Sequence, residues 1–313
     1  MEPHATARQE APKIGRFKKS WILTKAAWTG LKLDKELVAL PVIGLMTQLT
    51  LLALALVLAS FVIPTGILYY STNINGVADF GITGWGYAAM VAVFVPLSII
   101  STFISGAVIH GALARFRGED PSIRSSLDAA WQRLGSLASF AVFSYTVGLI
   151  ISEVASRLPF VGNLAVQWLA GAAWNVASFF ALPVIMSSKQ PIAPIKATKG
   201  SITLIKKVWG ESLIANVGIS IIAVLTVLLY STLSTVVIGL LSTTALPVMA
   251  LIALGVLTFL GILAIALVFG VLSAYVRAAI YHFATTGESP VTFNRQMLRQ
   301  AFSPKKARKV FTN

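Results

Sequence analysis

Six apolar runs, each about as long as a bilayer is thick, constrain this chain more than any other feature. They cover residues 38–63, 87–113, 134–151, 163–187, 213–241 and 245–276. A helix rises about 1.5 Å per residue and the hydrocarbon core is about 30 Å thick, so roughly 20 apolar residues make one crossing. Inside lipid every backbone N–H and C=O has to be satisfied within the protein, and for runs of this length the helix is the solution. The third run is the shortest. It continues through Glu153 and Arg157, an i,i+4 pair in the favourable helical order, acid first. The chain is 56% hydrophobic and 12% charged; a soluble domain carries about 25% charged residues. The expected fold is therefore all-α and polytopic, with six spans forming three hairpins.

Charge fixes the expected orientation. Of 25 Lys and Arg residues, Arg157 alone falls on one side of the six spans. The others lie in the N-terminal segment, in the connections 114–133 and 188–212, and in the C-terminal segment, where Arg277 is counted with the tail. The positive-inside rule makes that side cytoplasmic, which puts both termini there and suits the plasma membrane of a prokaryote. The net charge of +14 is then accounted for by insertion and by attraction to anionic headgroups, and no nucleic-acid partner is needed. The polar, basic opening MEPHATARQEAPKIGRFKKSW has no signal-peptide core, so the first run reads as a retained helix. The domain organisation expected is a basic tail over 1–16, one membrane domain over 17–302 and a second basic tail over 303–313.

Each connection on the basic side repeats one plan, an amphipathic stretch followed by a hairpin. The stretches are 17–37, 121–134 and 191–210. In the third, Ile195, Ile202, Ile205 and Trp209 recur at helical spacing, flanked by Lys196, Lys199, Lys206 and Lys207. In the second, Ile123, Leu127, Trp131 and Leu134 form the stripe, with Arg124 and Arg133 beside it. In the first, Trp21 and Trp28 take the corresponding places. An apolar stripe with Trp and flanking cations suits a helix lying at the headgroup boundary. These ten side chains, the four lysines, two arginines and the four tryptophans, are the candidates for contact with anionic lipid headgroups, a protein partner or a second copy of the chain.

The chemistry available inside the spans is sparse. With no cysteine, disulfides, thiolate metal sites and cysteine nucleophiles are excluded. His4, His110 and His282 have no metal-ligand spacing, so no metal or cofactor is expected. Ser105–Gly106 ends like an intramembrane serine-protease motif, but Phe103 stands where that motif has glycine. No paired acid and base suggests an enzyme. The intramembrane polar candidates are Gln48, His110, Asn175 and Asn216. Gln48 and Asn175 read as interhelical hydrogen bonds, and His110 as a cap reaching to the interface. Gly106 and Gly111, the AGAA run at 170–173, and Gly255, Gly261 and Gly270 read as close-packing sites. Pro96 and Pro183 read as kinks. The connection over 65–86, with Asn75–Gly76, reads as turns, with Tyr69, Tyr70, Trp85 and Tyr87 as the aromatic belt.

The segments SWILTKAAWTGLKLDKELVALPVIG, ALARFRGEDPSIRSSLDAAWQRLG, GAAWNVASFFALPVIM with PIKATKGSITLIKKVWGE, and YHFATTGESP with the later AF carry a resemblance. Together they resemble an uncharacterised family of prokaryotic six-helix membrane proteins, from about Trp21 to Phe302. The resemblance implies the six-span bundle and no enzyme activity, and it transfers no functional residue. A non-enzymatic scaffold or lipid-interacting factor with a basic collar is the leading expectation. A transporter or channel for a small or apolar solute is the alternative.

Overall fold

A computed structural model describes residues 25, 28–30, 35–62, 69–74, 77–207, 211–242 and 247–288. The elements in chain order are α1 (Lys35–Val62), β1 (Tyr69–Ile74), β2 (Val77–Ile82), α2 (Gly84–Phe116), α3 (Ile123–Gln132), α4 (Leu134–Ser156), α5 (Phe160–Ala177), α6 (Ala181–Ser187), α7 (Pro194–Lys207), α8 (Glu211–Ser242) and α9 (Val248–Thr286). Six helical stretches are long and apolar enough to cross a membrane: Glu36–Ser60, Gly84–Phe116, Leu134–Ser156, Phe160–Ser187, Ile222–Ser242 and Val248–Thr286. The chain is an all-α, multi-pass membrane protein. The tails 1–16 and 303–313, and Trp21, lie outside the described residues.

The helix α2 is the hub, touching α1, α3, α4, α6 and α9. The buried residues gather at one end of it. Leu37, Ile109, Leu137, Phe180, Ile185 and Tyr275 are all fully enclosed there. We call this the collar end. Small residues let the backbones close up. A Cβ on Gly106 would lie 3.1 Å from Leu137, and one on Gly111 would strike Leu37 and come within 2.9 Å of the Ser126 hydroxyl. The other small-residue sites behave differently from the sequence expectation. Gly171, Gly255 and Gly270 have open space where a side chain would go, and only Gly261 is tight, against Tyr230.

Three further features depart from the sequence reading. The connection before α2 is an antiparallel β-hairpin, paired from Tyr69↔Ile82 to Ile74↔Val77. Its strands lack clear apolar alternation. Asn-Gly is a hairpin signal, and here Asn75 and Gly76 lie outside the described residues. The fourth span is broken. Pro183 has no N–H to give to the Phe179 carbonyl, and its ring would collide with it in a continuous helix. The helix therefore stops at Ala177 and restarts at Ala181, so the discontinuity lies upstream of the proline. Pro96, in contrast, sits inside an uninterrupted α2. The sixth span runs on to Thr286, which places Arg277 inside it and not in a tail. It ends at Gly287, whose φ of 73° is the left-handed conformation glycine adopts at a C-cap.

Candidate functional site, a basic collar on a packed base

The collar is built by α3 and α7, and each is locked to the base by specific polar bonds. Ser122 and Ser125 form a reciprocal capping box at the start of α3, with both side-chain-to-backbone bonds at 3.0 Å. The Glu36 carboxylate also accepts from the Ile123 N–H at 3.3 Å, so the first turn of α1 supplies a negative charge to the N-terminus of α3. The break in the fourth span is tied to α7, because the Phe180 N–H donates to the Ser201 hydroxyl at 2.9 Å. That bond satisfies a donor which the broken helix would otherwise leave buried and unpaired. Ser136, at the start of α4, accepts from the Ile192 N–H at 3.0 Å, which pins the chain leading into α7.

The buried face of α7 is not the isoleucine stripe. Ala197, Thr198, Ser201 and Ile205 face the base, while Ile195 is 57% and Ile202 36% exposed. The physical reason is size. Three small residues on one face admit a closer approach than a row of isoleucines, and a Cβ added to Gly200 would lie 3.3 Å from Val184 on α6. Ile195 and Ile202 are left on the flank beside the buried face, with the lysines spread over the outer arc. Lys196, Lys199, Lys206 and Lys207 are all exposed. Within 4 Å of these lysines there is no carboxylate among the described residues. Trp209 lies outside the described residues.

On α3, Trp131 is 68% exposed and meets Phe103 edge-on, with ring centroids 6.3 Å apart. Arg124 is exposed and 3.9 Å from Asp128. Arg133 is half-buried at the junction of α3 and α4. It borders a pocket of about 270 Å³ shared with Gln132, Ser136 and Ile192. Trp28 is 42% exposed. At the turn between α2 and α3, Arg115 pairs with Asp120 at 2.6 Å and Arg117 with Glu119 at 2.7 Å. The Arg117 hydrogen bond holds the Glu119 carboxyl below its ordinary pKa. The expected Glu153–Arg157 pair forms at 2.8 Å.

The intramembrane polar candidates do not come together. Gln48 makes the expected interhelical bond, donating to the Leu97 carbonyl at 3.0 Å. It also lines a groove of about 310 Å³ between α1, α2 and α9, with Ser101, Ser105 and Gly270. Asn175 does not bridge helices. It donates back to Gly171 on its own helix at 3.0 Å and is exposed. His110 is half-buried at the collar end of α2. Asn216 lies in α8, with its side chain outside the described residues. Two residues carry the collar's construction without having been singled out as site residues by the sequence. Glu36 and Ser201 act through partners 87 and 21 residues away, a distance no local pattern reports.

No curated protein and no solved structure matches this chain. The family of unknown function DUF6159 matches residues 84–291, more than half of the sequence. That region contains α2 through α9, and with them both collar helices, the broken span and Arg277. The chain belongs to this family.

Proposed function

We propose that this protein is a non-enzymatic membrane scaffold whose basic collar engages anionic lipid headgroups at the cytoplasmic face of a prokaryotic plasma membrane. One observation carries the reading. The helix α7 is fixed to the base on one side and presents four exposed lysines on the other, with no carboxylate partner among the described residues. A surface helix whose cations served only solubility would have no need of such a mount. Ile195 and Ile202, exposed between the buried face and the lysines, supply the apolar flank that a headgroup-level helix inserts toward the acyl chains. The charge bias of the sequence orients the collar toward the cytoplasm, and α3, with Trp131 exposed, extends the same surface. A protein partner or second copy would dock on this surface too.

Each lysine near an anionic surface contributes about 1 kcal/mol. The Lys196/Lys199/Lys206/Lys207→Gln variant is therefore expected to lose most of its preference for phosphatidylglycerol over phosphatidylcholine nanodiscs, and most of the salt dependence of that preference. Unchanged lipid preference in a variant that inserts normally would refute the reading. Solute passage is the second reading. It draws on the groove beside Gln48, and ranks lower because the Gln48 amide is engaged with the Leu97 carbonyl.

A further inference from the structure

Arg277 is a half-buried arginine in the packed base with no acid within 4 Å among the described residues. The other close arginine pairs, Arg115–Asp120, Arg117–Glu119 and Arg157–Glu153, each find a carboxylate within five residues along the chain. Around Arg277 the same spacings offer Leu272, Ser273, Tyr275, Ala279, Tyr281 and His282, and among the described residues no carboxylate from elsewhere reaches it. Its Nε is enclosed and has no hydrogen-bond partner. Its guanidinium lies 5.1 Å from the centre of the Phe179 ring. Phe179 is itself buried, in the break between α5 and α6. The terminal Nη groups differ from Nε. They make no hydrogen bond among the described residues, and they are not completely enclosed.

This is a guanidinium held at its base and along one face, with its two-pronged end short of complete enclosure. A cation partly withdrawn from water and lacking a counter-charge is unfavourable. The fork geometry of arginine matches an oxyanion that can accept two parallel bonds. Phe179 stacking fixes the plane of the fork in advance, which lowers the ordering cost of binding.

Depth identifies the oxyanion. Arg277 lies 29 residues past Val248, the start of α9, about 44 Å along the axis. The hydrocarbon core takes up about 30 Å, and the bilayer with its headgroups about 40–45 Å. With the start of α9 in the headgroup layer of the opposite side, that length brings Arg277 to the headgroup layer at the collar end, at the level of lipid phosphates. We infer that Arg277 is a seat for a single phospholipid phosphate, bound through its Nη groups beside the broken fourth span. The inference rests on the collar reading for the placement of the membrane, but the site is distinct from the lysine surface. It is one stoichiometric position, where the lysines attract a diffuse layer.

Native mass spectrometry of the full chain in detergent, with phosphatidylglycerol supplied, separates the two. The wild type is expected to retain one phosphatidylglycerol at a salt concentration that strips the rest. Arg277→Gln is expected to lose that lipid by about tenfold or more, the range of a charge-assisted hydrogen-bond pair. Arg277→Lys, which keeps the charge and loses the fork, should recover only part of it. The Lys196/Lys199/Lys206/Lys207→Gln variant should keep the retained lipid, even if the collar reading fails. Full retention by Arg277→Gln overturns the seat and leaves the collar reading standing. Inorganic phosphate that displaces the lipid at millimolar concentration overturns the lipid assignment in favour of a soluble anion. If Arg277→Gln does not fold, wild-type protein and a photoreactive phosphatidylglycerol carrying its probe in the headgroup decide. Crosslinks to the segments 178–181 and 273–281 support the seat, and crosslinks confined to other segments overturn it.

Discussion

The collar end and the far end of the molecule contain the same kinds of residue in opposite circumstances. At the collar end Leu37, Ile109 and Leu137 are completely enclosed by protein. In the α8–α9 hairpin Leu233 is 57%, Leu240 66% and Met249 76% exposed. Both sets are apolar, so hydrophobicity alone does not say where a membrane protein packs. The collar-end set is kept from water by other side chains. The far-end set needs lipid to do the same, and lipid gives helices no hydrophobic reason to associate. The comparison teaches that the structural core of this protein lies at one end of the helix bundle and not in its middle. The crossing helices are long enough to leave the bilayer and build it. The 39 residues of α9 extend about 58 Å, far more than one crossing needs.

The sharpest way to break that contrast is to place the same substitution in both regions. Gly111→Leu forces a side chain into Leu37 and Ser126 and is expected to cost about 3 kcal/mol. Gly255→Leu meets open space and should change stability by less than about 0.5 kcal/mol. Thermal unfolding in one detergent compares them, and equal losses would dissolve the distinction between the collar end and the far end.

A smaller effect tests how the base grips the collar. Ser201→Ala removes the acceptor of the buried Phe180 N–H, at an expected cost of about 2 kcal/mol. Amide exchange at Phe180 and along α7 should accelerate, while exchange in α8 stays as it was. Uniform acceleration throughout the chain would mean that the collar has no separate attachment.

The smallest effect is a pH dependence at the turn joining α2 to α3. Arg117 lowers the Glu119 pKa in the folded state, so the unfolded chain binds this proton more readily. The pair's stabilisation is present above the ordinary glutamate range and fades as pH falls through and below it. The group is well exposed, so the contribution is slight. Glu119→Gln should narrow the melting-temperature difference between pH 7 and pH 3.5 by a small amount. A wider difference in the variant would reverse the assigned sign.

Much of this was legible beforehand, for identifiable reasons. The spans and the Glu153–Arg157 pair follow from length and i,i+4 spacing, which are local. The amphipathic helices over 121–134 and 191–210 were legible as helices. Which face of α7 is buried was not, because Ile195 and Ala197 compete for the core through the shape of what lies opposite. The Val184 side chain and the break at 178–180 decided for the small residues. Asn175 shows the same limit, since a mid-span amide finds its partner on whichever carbonyl comes within reach, here one turn away at Gly171.

The sequence by itself determined six crossings, the side that carries the charge, and the absence of any cysteine chemistry. Those properties depend on composition and period along a single chain. Only the tertiary structure decided that the fourth crossing is broken and tied to α7 through Ser201, that Glu36 supports α3, and that Arg277 stands in a packed base with no acid beside it among the described residues. Each of these depends on residues far apart in sequence meeting at one depth, and depth relative to a neighbour is set by packing, which no single helix encodes.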